Sequence, residues 1–217
     1  MIIYNPNDEN IMKERIEESQ KILDSIPAKY CFISGSFLFK RGYRDIDVFV
    51  ISRTKKQIKA INKKINITII DFNDLYSLFY HSISKSCIAK NILPKKPLKV
   101  TIADCWGVVN EAIPTILNEK DKYHKHIRFL VLYIEYFKNN QILDTYQLRK
   151  KIEKFRNFKE ILNYTKKELP WVINKNVRKS YAKRYFYTQA GYYKDSLDYE
   201  SQKYLYELSH NIVKGAA

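Results

Sequence analysis

The sequence predicts an α+β chain, with a small sheet flanked by helices in its first part and a helical bundle after it. Three observations lead there. Apolar runs of strand length recur at 30–34, 45–52 and 65–71. Beyond about Leu98 the apolar residues recur at helical spacing, most clearly at Ile127, Leu130, Val131, Ile134 and Phe137. Only 5 glycines and 6 prolines in 217 residues leave room for long helices and few loops.

In chain order, residues 8–25 are expected to form a helix. Asn7 or Asp8 can cap it, Ile11, Ile16, Ile22 and Leu23 supply an apolar face, and Pro27 ends it. Tyr30–Ser34 reads as a short buried strand, 36–40 as a helix or a turn, and 41–44 as a turn around Gly42. In the strand 45–52, Ile46, Val48 and Val50 share one face, and Asp45, Asp47, Phe49 and Ile51 the other. Past the carboxylates both faces are apolar, so this strand should be covered on both sides. A short amphipathic helix is expected at 54–63, then a third strand at 65–71 that again ends on a carboxylate. Asn73 is placed to cap a helix running through Tyr80 or beyond, and a helix is expected to about Lys90, followed by an irregular link containing Pro94 and Pro97. Further helices are expected at 101–118, 121–139, 144–168, 174–190 and 195–213, with a break at Pro170. This divides the chain into an α/β domain, 1–97, and a helical domain, 98–217.

The net charge is +16, from 39 Lys and Arg against 23 Asp and Glu, and it is unevenly spread. Residues 1–50 hold 7 basic and 8 acidic residues, whereas 149–194 hold 14 and 3. Such a surface attracts polyphosphates, nucleic acids among them. The competing reading is a composition bias toward Lys, Ile and Asn. Cys31, Cys87 and Cys105 form neither a zinc pattern nor a disulfide framework, and Cys31 and Cys105 lie in apolar runs expected to be buried. The N-terminal residues lack the pattern of a signal peptide, and no apolar run has membrane-spanning length, so a cytoplasmic protein without membrane contact is expected.

The chemistry concentrates in 30–52. Asp45 and Asp47, spaced i and i+2 on a strand, point to the same side. Gly35 would let backbone approach a phosphate, and Ser36 offers a hydroxyl and an N–H. Lys40, Arg41 and Arg44 lie between these halves and can neutralise a triphosphate. With Asp71 at the end of the third strand, three carboxylates directed at one point need a cation. Carboxylate oxygens suit Mg2+ or Mn2+.

ISGS (33–36), eight residues, then DIDVFV (45–50) resembles the signature of the DNA polymerase β-like nucleotidyltransferase superfamily, and its spacing is most similar to the minimal nucleotidyltransferases. The resemblance covers about residues 28–95 and extends to the strand and helix after it, INITIIDFNDLYSLFY. It implies a nucleotidyltransferase fold with a small mixed β-sheet. It also implies that Asp45, Asp47 and Asp71 bind two metal ions, that Asp71 helps deprotonate the attacking hydroxyl, and that Gly35 and Ser36 hold the triphosphate. The implied reaction moves a nucleoside monophosphate from an NTP such as ATP to a hydroxyl of RNA, a tRNA end or a protein, releasing pyrophosphate. Similar proteins occur in toxin–antitoxin pairs. Arg44 stands where a small residue is common, and Phe37, Leu38 and Phe39 are bulkier than in many relatives.

Two other readings stay open. One is an inactive nucleotidyltransferase-fold module, antitoxin-like, that binds RNA or protein through its basic half; the other is a small-molecule transferase. Residues 178–187 interleave cations with Tyr181, Tyr185, Phe186 and Tyr187, which suits either base stacking or an ordinary amphipathic helix. His124 and His126 are spaced to face apart on a helix, and His81 reads as a packed or surface histidine.

Overall fold

The computed structural model describes residues 1–53, 64–101, 104, 112–113, 115–118, 124–176 and 197–214. The chain divides into two compact units, Met1–Val100 with Ile142–Arg149, and Thr101–Gln141 with Lys150–Ala217.

The first unit is built on a five-stranded mixed sheet of strands β1 (Ile2–Tyr4), β2 (Tyr30–Ser34), β3 (Ile46–Ile51), β4 (Ile65–Ile70) and β5 (Cys87–Ala89). Their order is β1-β5-β2-β3-β4, with β3 and β4 parallel and every other pair antiparallel. Helix α1 (Glu9–Ser25) starts where expected, because the Asp8 carboxylate accepts the Ile11 N–H at 3.0 Å. It stops at Ile26, just before Pro27.

Alternation along β3 sorts its side chains onto two cores. Ile46, Val48 and Val50 join Cys31, Ile33, Met12, Leu23 and Ile26 on the α1 side. Phe49 and Ile51 join Phe32, Ile70, Leu75, Tyr80 and Ile83 on the other. Phe32 and Phe49 stack with centroids 5.2 Å apart. Each such large side chain contributes about 1.5–3 kcal/mol on burial, so β3, covered on both sides as its sequence predicts, fixes the register of the sheet.

Several local expectations are corrected. Asn73 caps no α-helix: a single 3-10 turn, Asp74–Tyr76, follows it, and Ser77 caps the short helix α2 (Leu78–Ile83) by accepting the Tyr80 N–H at 3.1 Å. The helix expected to reach Lys90 ends at Ile83, and Cys87–Ala89 is instead a strand inside the sheet, between β1 and β2. Three buried residues are too few for a period to distinguish strand from helix. Strand β1, also three residues long but partly exposed, is likewise too short for a period to show. The helix expected at 54–63 lies outside the described residues.

Beyond the sheet, the helices whose bounds fall within the described residues are α3 (His124–Asn139), α4 (Thr145–Ile152), α5 (Phe158–Asn176) and α6 (Tyr199–Lys214). The single helix expected over 144–168 is two, because each half carries its own cap. The Asp144 carboxylate accepts the Gln147 N–H (2.8 Å) and the Gln147 side chain accepts the Asp144 N–H (3.1 Å). Asn157 accepts the Glu160 N–H at 3.1 Å. Pro170 does not break α5: it lies inside the helix between fully buried Leu169 and Val172, where packing outweighs the lost backbone bond. The helix expected at 174–190 falls largely outside the described residues.

Segment Ile142–Arg149 belongs to the first unit because backbone carbonyls anchor it there. Ser82 Oγ donates to the Leu143 carbonyl and Lys85 Nζ to that of Ile142, both at 2.6 Å, and Tyr146 packs edge-on against Phe39. Among the described residues no helix is long and apolar enough to cross a membrane.

Candidate functional site

The candidate site is the end of the sheet where β2 finishes and β3 begins. Ser34, the last residue of β2, pairs with Asp47, the second of β3, and Asp47 pairs on its other side with Asn66 of β4. Residues in register share a face, so Ser34, Asp47 and Asn66 form a row across three strands. Ser34 is buried, its hydroxyl donating to the Ser86 carbonyl at 3.2 Å. Asp45 precedes β3 by one residue, so the two aspartates are brought together at one strand end.

Gly35 turns the chain out of β2 with φ +96° and ψ −161°, a conformation that only glycine adopts without strain. A Cβ placed there would lie 3.0 Å from Asp47 Oδ2. Backbone and carboxylate therefore share a space that a side chain would fill. Ser36 then opens a single 3-10 turn, Ser36–Leu38. Its carbonyl accepts the N–H groups of Phe39 (3.3 Å) and Lys40 (2.9 Å), which commits this backbone to the turn. Phe37 and Leu38 are bulky because they belong to the α1-side core, at 0% and 2% exposure.

The basic turn is held from behind by a residue the sequence reading missed. The Arg15 guanidinium of α1 lies over the rings of Phe37 (5.1 Å) and Tyr43 (4.7 Å) and donates to the Arg41 carbonyl at 3.1 Å. Glu18 pairs with Arg15 at 3.7 Å and accepts the Tyr43 hydroxyl at 3.2 Å. Burial, then the Glu18 charge, raise the Tyr43 phenol above its usual range. The only sequence signal for this clamp was a cation on the turn-facing side of an amphipathic helix.

Arg44 is 93% exposed and donates to Asp45 Oδ2 through Nε (3.4 Å) and Nη2 (3.3 Å). An exposed pair of this length contributes about 0–1 kcal/mol, so an anionic ligand can draw Arg44 away at little cost.

Asp71 does not join the other two aspartates. Strands β3 and β4 run parallel, with Asp47 beside Asn66 and Ile51 beside Ile70. Asp71 follows Ile70, five residues beyond Asn66 and about 16 Å along the strand at 3.3 Å per residue. There its Oδ1 accepts the Asn73 N–H at 2.9 Å, while Asp74 Oδ2 accepts the Asp71 N–H at 3.1 Å, a local turn at the opposite end of the sheet. The expected trio of Asp45, Asp47 and Asp71 is thus a pair. Among the described residues no group of three or more His, Cys, Asp or Glu is arranged to hold a metal ion.

Of the other candidates, His81, Cys31 and Cys87 are described. Burial lowers the His81 pKa, against the backbone of Lys96 and Leu75, which raises it, and Nε2 is buried without a partner. Burial pushes the Cys31 thiol up to about 11 and raises the Cys87 thiol further, so neither is a ready nucleophile. Helix α3 begins at His124. Cys105 and the basic–aromatic stretch 178–187 lie outside the described residues. Comparison of the chain with protein-family models, with curated proteins and with solved structures finds no match.

Proposed function

We propose that the first unit is a nucleoside-triphosphate site of nucleotidyltransferase type that binds the nucleotide with Mg2+ or Mn2+ and does not transfer it. The observation that carries this reading is the close approach of Gly35 to Asp47, with Asp45 beside it. The missing Cβ lets the Asp47 carboxylate lie against the Gly35 backbone, so a phosphate held by that backbone would have the carboxylate beside it, joined through a cation. The donor set of two carboxylates fits one oxygen-seeking cation that keeps waters and shares its shell with phosphates. That cation would neutralise the polyphosphate. Asp45 and Asp47 hold it, Gly35 and Ser36 line the phosphate path, and Arg44 exchanges its pair with Asp45 for a phosphate oxygen. Asp71, the residue expected to deprotonate an acceptor hydroxyl, sits at the far end of the strand, and among the described residues no third carboxylate joins Asp45 and Asp47.

A second reading is transfer of the nucleoside monophosphate to a hydroxyl of RNA, a tRNA end or a protein. The same-face aspartate pair and the net charge of +16 favour it. One experiment separates the two. Each α-labelled NTP is incubated with the chain, Mg2+ and total RNA or cell lysate, and nucleotide binding is measured in parallel. Mg2+-dependent binding that Asp45→Asn and Asp47→Asn remove, without label transfer, supports the first reading. Label transfer by the wild type that these variants abolish establishes the second. No binding by the wild type sinks both.

A further inference from the structure

We infer that Asn66 is the residue that limits this site to a single divalent cation; the inference rests on the nucleotide-site reading above. The register places Asn66 beside Asp47 on the adjacent strand and on the same face. No residue of β4 is closer in register. The strand INITII alternates so that Ile65 lies in the α1-side core with Ile67 packed against it, while Asn66 and Thr68 are exposed on the other side. Adjacent strands are about 4.8 Å apart, so a cation on Asp47 lies within reach of a side chain at 66.

The chemistry at that position is a carboxamide. An amide oxygen is a neutral donor and adds no charge to the two aspartates. A second divalent cation beside the first needs further negative charge to offset their mutual repulsion. With Asp71 about 16 Å along the strand, residue 66 is the position of β4 from which a side chain could add that charge. Asparagine and aspartate have nearly the same size, and an exposed position tolerates the exchange, so a single substitution changes the charge while leaving the sheet intact.

The test counts bound Mn2+ by the electron paramagnetic resonance of the free ion, with and without a non-hydrolysable NTP, in wild type, Asn66→Asp and Asn66→Ala. The expected result is one Mn2+ per chain in the wild type and in Asn66→Ala, and a second in Asn66→Asp. Circular dichroism confirms that each variant is folded. A wild type that binds two ions, or a folded Asn66→Asp that binds no more than the wild type, overturns the inference and leaves the nucleotide site standing. A wild type that binds neither Mn2+ nor nucleotide overturns the nucleotide-site reading, and the inference with it.

Discussion

Gly35 presses against Asp47 so closely that a Cβ on the glycine would stand 3.0 Å from the carboxylate oxygen. Two constraints coincide at this position. The backbone has φ +96°, where L side chains are strained, and the space beside it belongs to the aspartate. Gly35→Ala should therefore lower stability by about 1–3 kcal/mol, the usual cost of such a backbone conformation. It should also displace Asp47 and weaken NTP binding. Urea unfolding and nucleotide titration of the same variant check both. An unchanged midpoint would show that the turn relaxes freely, and the close approach would then carry no functional weight.

The parallel register of β3 and β4 makes the aspartates unequal. Asp45→Asn or Asp47→Asn should weaken Mg2+-dependent NTP binding at least about tenfold, equivalent to roughly 1.4 kcal/mol. Asp71→Asn should leave it unchanged, because the amide oxygen still accepts the Asn73 N–H and the turn persists. Calorimetric titration of the three variants decides. Loss of binding in Asp71→Asn would mean that the strand end reaches the site after all.

What could be read from the sequence is what depends on local pattern. The alternation of 46–51 placed β3 between two cores, and the i, i+2 aspartates fell at its open end as the strand period demands. The two-faced covering followed from having no polar residue past Asp47. What could not be read depends on pairing. Whether Asp47 faces Asn66 or Asp71 is a matter of register and strand direction, and INITIID carries a polar residue at both ends. A carboxylate at 71 was the more attractive ligand by chemistry, yet the parallel pairing sends it to the wrong end. The strand at 87–89 and the return of 142–149 to the first unit are likewise set by distant partners: β1 and β2 for one, Ser82 and Lys85 for the other.

Arg15 joins α1 to the basic turn through two rings and one carbonyl. A partly desolvated cation over an aromatic face contributes about 0.5–2 kcal/mol. Arg15→Met should accordingly cost about 1–3 kcal/mol and loosen the turn that carries Arg44 and Asp45. Arg15→Lys keeps the charge but loses the planar fork, and should recover only part of the stability. Chemical denaturation at constant m-value measures this, and hydrogen exchange of the 41–44 amides reports the turn directly. Equal exchange in all three proteins would show that the turn holds without the clamp.

In the second unit Glu135 is buried at 4% exposure, yet burial, which alone would raise its carboxyl, is outweighed. Lys151 pairs with it, Tyr164 donates its hydroxyl at 3.1 Å and Asn139 its amide at 2.9 Å, holding the carboxyl below its ordinary 4.5. The folded state thus takes up this proton less readily than the unfolded state does. The stabilisation is fully present above the unfolded value and is lost as pH falls through the lower folded one. The stability difference between wild type and Glu135→Gln should be constant near neutrality and shrink below about pH 4.5. Removing the cation instead, as Lys151→Met, leaves the charge held by Tyr164 and Asn139, and because Lys151 is itself partly exposed it should cost about 1–3 kcal/mol at neutral pH. Thermal unfolding of the three proteins across pH 3 to 7 reads both effects, taking about that window from the linkage rule. A wild type and Glu135→Gln that lose stability in parallel with acid would show that Glu135 is not the group that titrates.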